Sequence, residues 1–374
     1  MEWLRVTYLL ASSPAEVRAR AEAVAVEQSV EMPVTAIRHP HVLEDILAKV
    51  DSIEPAGADR FEVVIRVSAA TTGHEVSQLV NMLFGNLSIQ EHVQLVDAVF
   101  PASLLSAFSG PRFGIAGLRE RVRAWERPLT ATALKPQGLT SPELATLCKT
   151  FALSGIDVVK DDHGIADQAY SPFAERVRAC QRAVDLANRE TGRATLYAPN
   201  LSGSPRQLFE QVRIVREEGV RAVLLAPMLI GLPVFQELVA ERLDVPVFAH
   251  PSFSGVTRIA PPFLLGKLFR LFGADAVIFP NHGGRFAFGP DLCGRLVKAA
   301  RDPWESVRPA LPAPAGGMSV DRVDEMIGAY GNDVMLLIGG ALLAAGDQLP
   351  DHSRQFVGKV EASARASRAG ARSP

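Results

Sequence analysis

Residues 130–163 decide the fold, and they read TATALKPQGLTSPELATLCKTFALSGIDVVKDDH. An apolar run at Thr130–Leu134 is followed by an amphipathic stretch that starts at Ser141-Pro142, and a second apolar run follows at Ile156–Val159. Serine before proline is typical of the first residues of a helix, and the glycine at position 155 is typical of the residue after one. The stretch therefore predicts a strand, a helix and a second strand.

The same unit recurs along the rest of the chain. The apolar runs are Thr130–Leu134, Ile156–Val159, Ala194–Ala198, Ala222–Ala226, Val245–Ala249, Ala276–Phe279, Leu311–Ala315 and Val334–Ile338. Each run is too short for a helix, and continuous apolar character is typical of parallel strands that are buried on both faces. Eight such units predict the α/β class, with a (β/α)8 TIM barrel over residues 126–360. A doubly wound open sheet is the alternative, but no G-x-G-x-x-G motif follows an early strand.

The first 125 residues follow a different pattern. Predicted strands at Val6–Leu10 and Phe61–Ser68 alternate with predicted helices at Pro14–Glu27 and His74–Phe84, and a further strand and helix follow. Mixed strands and helices ahead of the barrel predict a separate α+β domain of the ferredoxin-like kind over residues 1–125.

Composition excludes several classes of protein. The 374 residues carry 39 Lys and Arg against 41 Asp and Glu, a net charge of −2, which argues against a nucleic-acid partner. The apolar stretches are shorter than the roughly 18 residues that a membrane span needs. The three cysteines form no CxxC pair, so neither a disulfide framework nor a thiolate zinc site is expected. We expect a soluble cytoplasmic protein with no membrane partner, and a flexible tail over residues 361–374 that is rich in Ala, Ser and Arg.

Polar residues and glycines collect at the C-terminal ends of the predicted strands, where the reactive groups of a barrel lie. In strand order they are Lys135-Pro136-Gln137, Lys160-Asp161-Asp162-His163, Asn200, His250-Pro251, Asn281-His282-Gly283-Gly284-Arg285, Gly316-Gly317 and Gly339-Gly340. Carboxylate and imidazole groups are ligands for a divalent cation, and paired glycines expose backbone N–H groups that bind phosphate. The pattern indicates a metal-assisted enzyme that acts on a phosphorylated small molecule.

Each of these features also has a simpler interpretation. Taken alone, the run from Lys160 to Asp162 is compatible with a solvated loop, Lys135 with an ion-pair partner and His250 with a buried core histidine. The glycine pairs are compatible with ordinary turns. Their shared position at one rim of the barrel favours a functional site.

Two motifs resemble a known family. Ala133-Leu134-Lys135-Pro136, and then the run GIDVVKDD from Gly155 to Asp162, resemble the large-subunit family of ribulose-bisphosphate carboxylase. A Gly-x-Asp-x-x-Lys-Asp-Asp strand end at this distance after Lys-Pro is rare, and the order of the remaining elements agrees over nearly the whole chain. The resemblance implies that the lysine at position 160 is carbamylated by CO2. It also implies that the carbamate holds Mg2+ together with Asp162 and His163.

The resemblance implies roles for further residues. It implies catalytic roles for Lys135, Lys160 and His250, of which Lys135 assists proton abstraction during enolisation. The implied substrate- and phosphate-binding residues are Gly316, Gly317, Gly339, Gly340, Arg285 and Asn200. Glu27 and Asn86 fall where the family reaches across a homodimer interface into the active site of the partner subunit.

Three departures from the carboxylase pattern change the expected activity. Gln137 stands where carboxylases have a second lysine, His163 replaces a glutamate metal ligand, and Pro251 replaces a phosphate-binding arginine. Arg285 lies near the position of the loop lysine that stabilises the carboxylated intermediate. The chain is therefore similar to the RuBisCO-like proteins, which keep enolisation chemistry and do not fix CO2.

Three functions are consistent with these residues. The first is a Mg2+-dependent enzyme that enolises a phosphorylated keto-sugar or keto-acid, with Lys135 or the Lys160 carbamate taking the proton. Isomerisation, tautomerisation and decarboxylation all pass through the same enediolate. The second is the 2,3-diketo-5-methylthiopentyl-1-phosphate enolase of methionine salvage. The third is a catalytically inactive protein that binds a phosphorylated ligand.

Overall fold

The computed structural model describes residues 2–371 and divides them into two compact units. The first unit ends at Ser109 and also contains Phe253–Leu264, and the second contains the remaining residues. The boundary lies before the predicted position at residue 125, because the helix Gly114–Val122 belongs to the second unit. Its apolar side chains, together with Ala124, pack into the core of that unit.

The first unit is an antiparallel α+β domain. Its strands are β1 (Trp3–Ala11), β2 (Lys49–Pro55), β3 (Arg60–Ser68) and β4 (Val93–Val99), and its helices are α1 (Val17–Glu27), α2 (Val76–Phe84) and α3 (Ala102–Ser106). The sheet order is β2-β3-β1-β4, the order of a ferredoxin-like domain. Short 3-10 or π turns lie at Val34–Ala36, Val42–Ile46, Ala69–Thr72, Asn86–Ile89 and Ser254–Val256. The sequence did not predict β2, because every residue of this edge strand is at least partly exposed and the apolar signal is weak.

The second unit contains parallel strands. They are β5 (Leu129–Leu134), β6 (Val158–Asp161), β7 (Leu196–Ala198), β8 (Asn200–Leu201), β9 (Val223–Leu225), β10 (Val247–Ala249), β11 (Ala276–Pro280), β12 (Leu311–Ala315) and β13 (Met335–Leu337). Their hydrogen-bonded order is β13-β5-β6-β7 and then β8-β9-β10-β11-β12. Pro199, which has no N–H to donate, separates β7 from β8, so the two form one interrupted strand. The eight strand positions confirm the predicted TIM barrel.

One helix precedes the first barrel strand, and the other helices of this unit follow barrel strands. They are α4 (Gly114–Val122), α5 (Ser141–Leu153), α6 (Phe173–Thr191), α7 (Pro205–Glu217), α8 (Pro227–Ile230), α9 (Leu232–Glu237), α10 (Phe269–Leu271), α11 (Pro290–Arg301), α12 (Val323–Tyr330), α13 (Gly340–Leu343) and α14 (Leu349–Ala371). Short turns lie at Leu238–Arg242, Pro262–Leu268, Val320–Arg322 and Gly346–Gln348. Within residues 2–371 no helix is both long enough and apolar enough to cross a bilayer. Cys148, Cys180 and Cys293 are buried free thiols.

Most of the predicted flexible tail is helical. The prediction for residues 361–374 is wrong as far as Ala371, because α14 continues to that residue. Val360 and Ala364 are fully buried, and the Ser363 hydroxyl donates to Asp324. Frequent Ala, Ser and Arg conceal this apolar stripe in the sequence. Residues 372–374 lie outside the described residues.

The helix starts differ in detail from the prediction. Ser204 precedes α7 as expected, but Thr140 precedes α5, and its N–H and hydroxyl both donate to the Glu143 carboxylate at 2.8 and 2.7 Å. For α6 the Phe173 amide donates to Asp167 at 2.7 Å. A carboxylate placed six residues earlier in the chain satisfies the helix end there, which the serine–proline pattern could not indicate.

Alternation along the strands determines which side chains reach the barrel mouth. The inward-facing core residues are Leu129, Ala131, Val158, Leu196, Ala198, Leu224, Phe248, Ala276, Ile278, Leu311, Ala313, Met335 and Leu337. Successive side chains of a strand point to opposite faces, so residues two apart share a face. Continuing each series toward the C-terminal end places Lys135, Lys160, Asn200 and His250 on the inward side. The fold therefore groups four of the predicted site residues at one end of the barrel.

Candidate active site

Lys160 lies at the centre of the predicted metal site. It pairs with Ala133 of β5 and Ala198 of β7 in the barrel sheet, it is 3% exposed, and its Nζ donates to the Asp161 carbonyl at 2.9 Å. Burial lowers the pKa of Lys160 to about 8, although the Asp162 charge opposes the change. Because only a neutral amine reacts with CO2, the lowered pKa favours carbamate formation.

Asp162 and Lys135 form an ion pair beside Lys160. The Asp162 carboxylate accepts from the Lys135 ammonium and from the Gly164 amide, the latter at 3.1 Å. Burial acts to raise the pKa of Asp162, but the Lys135 hydrogen bond and the Lys160 charge outweigh it and hold the pKa at about 2. Asp162 is therefore ionised at neutral pH and available as an oxygen ligand.

Asp161 makes a different set of contacts. Its carboxylate accepts hydrogen bonds from Arg176 Nε at 3.0 Å, from the backbone N–H of Asn200 at 3.1 Å and from the Tyr197 hydroxyl at 2.8 Å. Arg176 and Asp161 are fully buried. The two adjacent aspartates therefore have separate roles. Asp161 joins β6 to α6 and to the third strand, and Asp162 faces the barrel mouth.

His163 and His250 stack on each other. Their ring centroids are 4.1 Å apart with an interplanar angle of 14°. His163 Nδ1 lies 3.3 Å from Asp162, and His250 Nδ1 accepts from the Ser252 amide at 3.2 Å. Burial lowers the pKa of both rings, and nearby lysine charges act in the same direction. Both imidazoles are therefore neutral at pH 7, as a metal ligand requires.

Asn200 fixes the turn that carries His163. Its Nδ2 donates to the His163 carbonyl at 3.1 Å and to the Ile165 carbonyl at 2.9 Å. Its Oδ1 is buried and has no hydrogen-bond partner within residues 2–371. The substrate-binding role expected for Asn200 stays a prediction, and in the structure its side chain holds the turn that carries His163.

Gly316 and Gly317 follow β12 in conformations that favour glycine. Their φ angles are 85° and 91°, in the left-handed region. The Arg285 amide donates to the Gly316 carbonyl at 2.9 Å, which brings the loop after β11 against the pair. The Arg285 guanidinium also contributes to the lowered pKa of His163.

Gly339 brings the end of the last strand close to Lys135. A Cβ at this position would lie 3.8 Å from Lys135 Cε, and Gly340 begins the short helix α13. Both predicted glycine pairs are therefore in contact with other predicted site elements.

Gln137 and Pro251 occupy their positions without adding charge. The Gln137 amide lies so close to the Gly164 α-carbon that no Cβ fits there. Pro251 follows β10, directly after His250. The strand ends therefore have two fewer cations than the carboxylase pattern implies.

Glu27 and Asn86 contact each other in the first unit. Asn86 Nδ2 donates to Glu27 Oε1 at 2.9 Å and to Glu31 Oε1 at 3.1 Å. Asn86 and Glu31 are exposed, and Glu27 is half-buried. The two predicted residues are thus a local pair.

Three supporting residues were missed from the sequence. Arg176 and Tyr197 hold Asp161, and Ser252 holds His250. Ser252 was detectable only by its position two residues after a predicted site histidine. No sequence pattern indicated a role for Arg176 or Tyr197, because one is a residue within a helix and the other an outward-facing residue of a strand, and neither belongs to a motif.

The unmodified side chains do not form a complete metal site. Within residues 2–371 no group of three or more His, Cys, Asp and Glu could hold a metal ion. Asp162 and His163 supply two donors, and a carbamate on the adjacent Lys160 would supply the third. An anionic oxygen donor in place of an ammonium fits the preference of Mg2+ for oxygen ligands.

Comparison with known proteins identifies similar chains. The family model for the ribulose bisphosphate carboxylase large chain, catalytic domain, matches residues 114–284. A ribulose bisphosphate carboxylase-like protein of Rhodopseudomonas palustris is 51% identical over 96% of this chain and 98% of its own. The 5-methylthioribulose-1-phosphate isomerase of Rhodospirillum rubrum is 51% identical over 96% of this chain and 97% of its own. A 2,3-diketo-5-methylthiopentyl-1-phosphate enolase of Geobacillus thermodenitrificans is 36% identical over 72% of this chain and 67% of its own.

Solved structures agree with these sequence relatives. The crystal structure of a Rubisco-like protein from Rhodopseudomonas palustris has a TM-score of 0.91 and 46% identity, over 96% of this chain and 98% of that one. The octameric Rubisco of Pyrococcus horikoshii has a TM-score of 0.91 and 26% sequence identity, and the match covers 97% of this chain and 88% of the Pyrococcus chain.

The adjacent aspartates should respond differently to substitution. Asp161→Asn leaves the buried Arg176 without its counter-charge, a change that costs about 3–5 kcal/mol of unfolding free energy. Asp162→Asn should cost less, because Lys135 is partly exposed and water can solvate its ammonium. Chemical denaturation of both variants beside the wild type measures the two losses. Equal losses would contradict the separation of roles.

Proposed function

Because the chain belongs to the ribulose-bisphosphate carboxylase large-chain family as a RuBisCO-like protein, we propose that it is a cytoplasmic ketose-phosphate isomerase that does not fix CO2. It is an enzyme of the isomerase or lyase kind in this superfamily. The proposed substrate is 5-methylthioribulose 1-phosphate or a closely similar phosphorylated ketose. The similarity to the Rhodospirillum rubrum isomerase supports this choice, since it extends over nearly the whole of both chains.

The observation that carries the proposal is the group formed by Lys135, Lys160 and Asp162. Isomerisation of a ketose removes a proton from the carbon next to the carbonyl and returns a proton to a neighbouring carbon. Lys135 Nζ, in its neutral amine form, is the more accessible candidate for this transfer, because Lys135 is partly exposed whereas Lys160 is buried. The Lys160 carbamate is the other candidate. A positioned acid or base of this kind contributes about 10²–10⁴ in rate.

The residues that would hold Mg2+ are the Lys160 carbamate, Asp162 and His163. The bound ion would polarise the substrate carbonyl and stabilise the negative charge of the enediolate. His163 supplies a neutral nitrogen where a carboxylate would add charge, so the site should bind Mg2+ more weakly and accept softer ions such as Mn2+ or Zn2+. Asn200 supports this ligand by holding the backbone of the turn.

The missing cations argue against carboxylation. Gln137 and Pro251 supply no positive charge at two positions where a carboxylase has lysine and arginine. Arg285 is the remaining loop cation, and its guanidinium is larger and more delocalised than an ammonium. Loss of one preorganised electrostatic group costs about 10²–10³ in rate. Enolisation needs only the metal, one proton carrier and one phosphate site.

The enolase of methionine salvage is the second candidate. It is supported by relatives of that name, which share the enolisation step. Their lower identity and shorter coverage place it behind the isomerase. Both candidates use a phosphorylated C5 compound with a methylthio end, so one panel of substrates separates them.

We further propose a homodimer as the minimum active unit. The resemblance assigns Glu27 and Asn86 to the partner's site, and the octameric relative from Pyrococcus horikoshii has an even number of subunits. Their mutual hydrogen bond keeps the Asn86 amide oriented by Glu27 and Glu31.

The substrate assignment is tested by turnover. With Mg2+ and bicarbonate, the wild type should isomerise 5-methylthioribulose 1-phosphate and exchange its carbon-bound proton with solvent deuterium, both followed by NMR. Lys135→Met should lower kcat by about 10²–10⁴, because the proton carrier is lost. Ribulose bisphosphate with labelled bicarbonate should give no labelled phosphoglycerate. Turnover of 2,3-diketo-5-methylthiopentyl 1-phosphate alone would favour the enolase.

The carbamate is tested by metal binding. Addition of bicarbonate should increase the affinity of the wild type for Mn2+, measured by electron paramagnetic resonance, because a carbamate replaces an ammonium. Lys160→Ala should abolish this increase. Lys149→Ala, which removes an exposed lysine of α5, is the control and should retain it. Bicarbonate-independent binding in the wild type would contradict the carbamate.

Shared sites are tested with hybrid dimers. Lys160→Ala and Asn86→Ala subunits should each be inactive as homodimers. After random exchange, half of the dimers are hybrids with one intact site of two, so about a quarter of wild-type activity should return. No recovery in a protein shown to exchange subunits would contradict the shared site.

A further inference from the structure

The loop that follows β11 lies against the glycine pair after β12. The Asn281 amide donates to the Ala315 carbonyl at 2.9 Å, and the Arg285 amide donates to the Gly316 carbonyl at the same distance. Gly284 approaches the Gly316 carbonyl so closely that no Cβ fits between them. Gly317 in turn leaves little room beside the Arg285 amide. The backbone of one loop therefore supports the backbone of the other.

His282 connects the start of this loop to α12. Its Nε2 lies 2.8 Å from Glu325 Oε1, and its Nδ1 lies 2.9 Å from the Tyr330 hydroxyl. The Tyr330 hydroxyl donates to Asn281 Oδ1 at 2.5 Å. Both ring nitrogens are thus engaged by one helix. We call Asn281, His282, Glu325 and Tyr330 the His282 cluster.

Arg322 holds the carboxylate of the cluster in place. Its Nε and Nη2 donate to the two oxygens of Glu325 at 2.9 and 2.6 Å. These hydrogen bonds keep the pKa of Glu325 at about 2, so the residue is an anion at neutral pH. A Cβ on Gly283 would lie 3.1 Å from Arg322 Nη2, so the loop passes directly over this guanidinium. The Glu325 carboxylate is thus held by Arg322 on one side and by His282 on the other, and the His282 side chain is only 15% exposed.

The cluster is not needed to pair the strands. β11 and β12 are already in register at five positions, from Ala276 with Leu311 to Pro280 with Ala315. The His282 cluster begins where that pairing ends, and it connects to a helix that follows β12. Its contribution is therefore to the loop beyond the sheet.

Gly316 and Gly317 need support from neighbours. Neither has a side chain that could anchor it, and a backbone that must be ordered on binding loses affinity through its conformational entropy. Gly316 is contacted by the backbone of Gly284 and accepts a hydrogen bond from the Arg285 N–H. That loop is itself held by the His282 cluster.

We propose that His282 and Tyr330 are positioning residues for the phosphate group of the substrate. They hold the loop Gly283–Phe288 against Gly316 and Gly317, so that the N–H groups of the glycine pair are preorganised for a phosphate dianion. The inference rests on the proposed function in one respect, the assignment of this glycine pair to phosphate. Neither residue touches the substrate or moves a proton in the reaction.

The test measures phosphate affinity directly. Inorganic phosphate is titrated into the wild type, His282→Ala and Tyr330→Phe by isothermal calorimetry. Each variant should bind phosphate about tenfold more weakly, the factor to which one lost hydrogen bond corresponds. His282→Gln should recover part of the affinity, because its side-chain N–H can donate to Glu325 in place of the ring Nε2. With the ketose phosphate, KM should rise in the same order and kcat should change little.

Ile327→Val is the control for a general loss of stability. Ile327 is a buried residue of α12 outside the cluster, and the substitution should lower the melting temperature to a similar extent without changing phosphate affinity. Equal weakening by Ile327→Val and His282→Ala would overturn the inference, as would unchanged affinity in His282→Ala. A wild type that binds no phosphate would also overturn it. If phosphate binds and responds to the cluster but the ketose phosphate is not turned over, the proposed isomerase fails and the inference stands.

Discussion

The buried ion pair between Asp161 and Arg176 is the constraint on which the site depends. Burying two charges costs free energy that hydrogen bonds must offset, and Asp161 accepts three of them. These bonds join the end of β6 to α6 and to the third strand. These contacts fix Asp161 on the outer, helix-facing side of the barrel sheet. Because side chains alternate along a strand, Lys160 and Asp162 then point to the inner side. A structural pair facing the helices thus orients the predicted site residues facing the mouth.

Much of the architecture was predictable because its cause is local. All eight barrel strands were found from continuous apolar runs, since strands covered on both faces must be apolar at every position. The grouping of Lys135, Lys160 and Asp162 was predictable because a strand end determines where they project, and their role stays a prediction. The edge strand β2 was missed because every one of its residues is at least partly exposed, and α14 was missed beyond residue 360 because Ala, Ser and Arg dominate its sequence there.

The remaining parts of the site depend on contacts between distant residues. Tyr197 and Arg176 reach Asp161 from other elements, and Tyr330 reaches His282 across 48 positions of the chain. Nothing in the pattern around His282 indicates that its ring is held by a later helix. Asn200 shows the same limit: its expected role in substrate binding stays a prediction, and nothing in the sequence indicated that its side-chain amide holds the turn at His163.

The charges at the mouth would make metal binding depend on the proposed Lys160 carbamate. Lys135 and Lys160 carry two positive charges against one negative charge on Asp162, and the two histidines are neutral, so the unmodified mouth attracts a phosphate and repels a cation. Starting from the ammonium, carbamylation would join the Lys160 nitrogen to CO2 and release two protons, which replaces one positive charge by one negative charge. The sum over these residues then changes from +1 to −1. With a glutamate in place of His163, the unmodified sum would already be zero. Under the proposed carbamate, the histidine makes this dependence stronger, because a larger share of the attraction for the metal would come from that single modification.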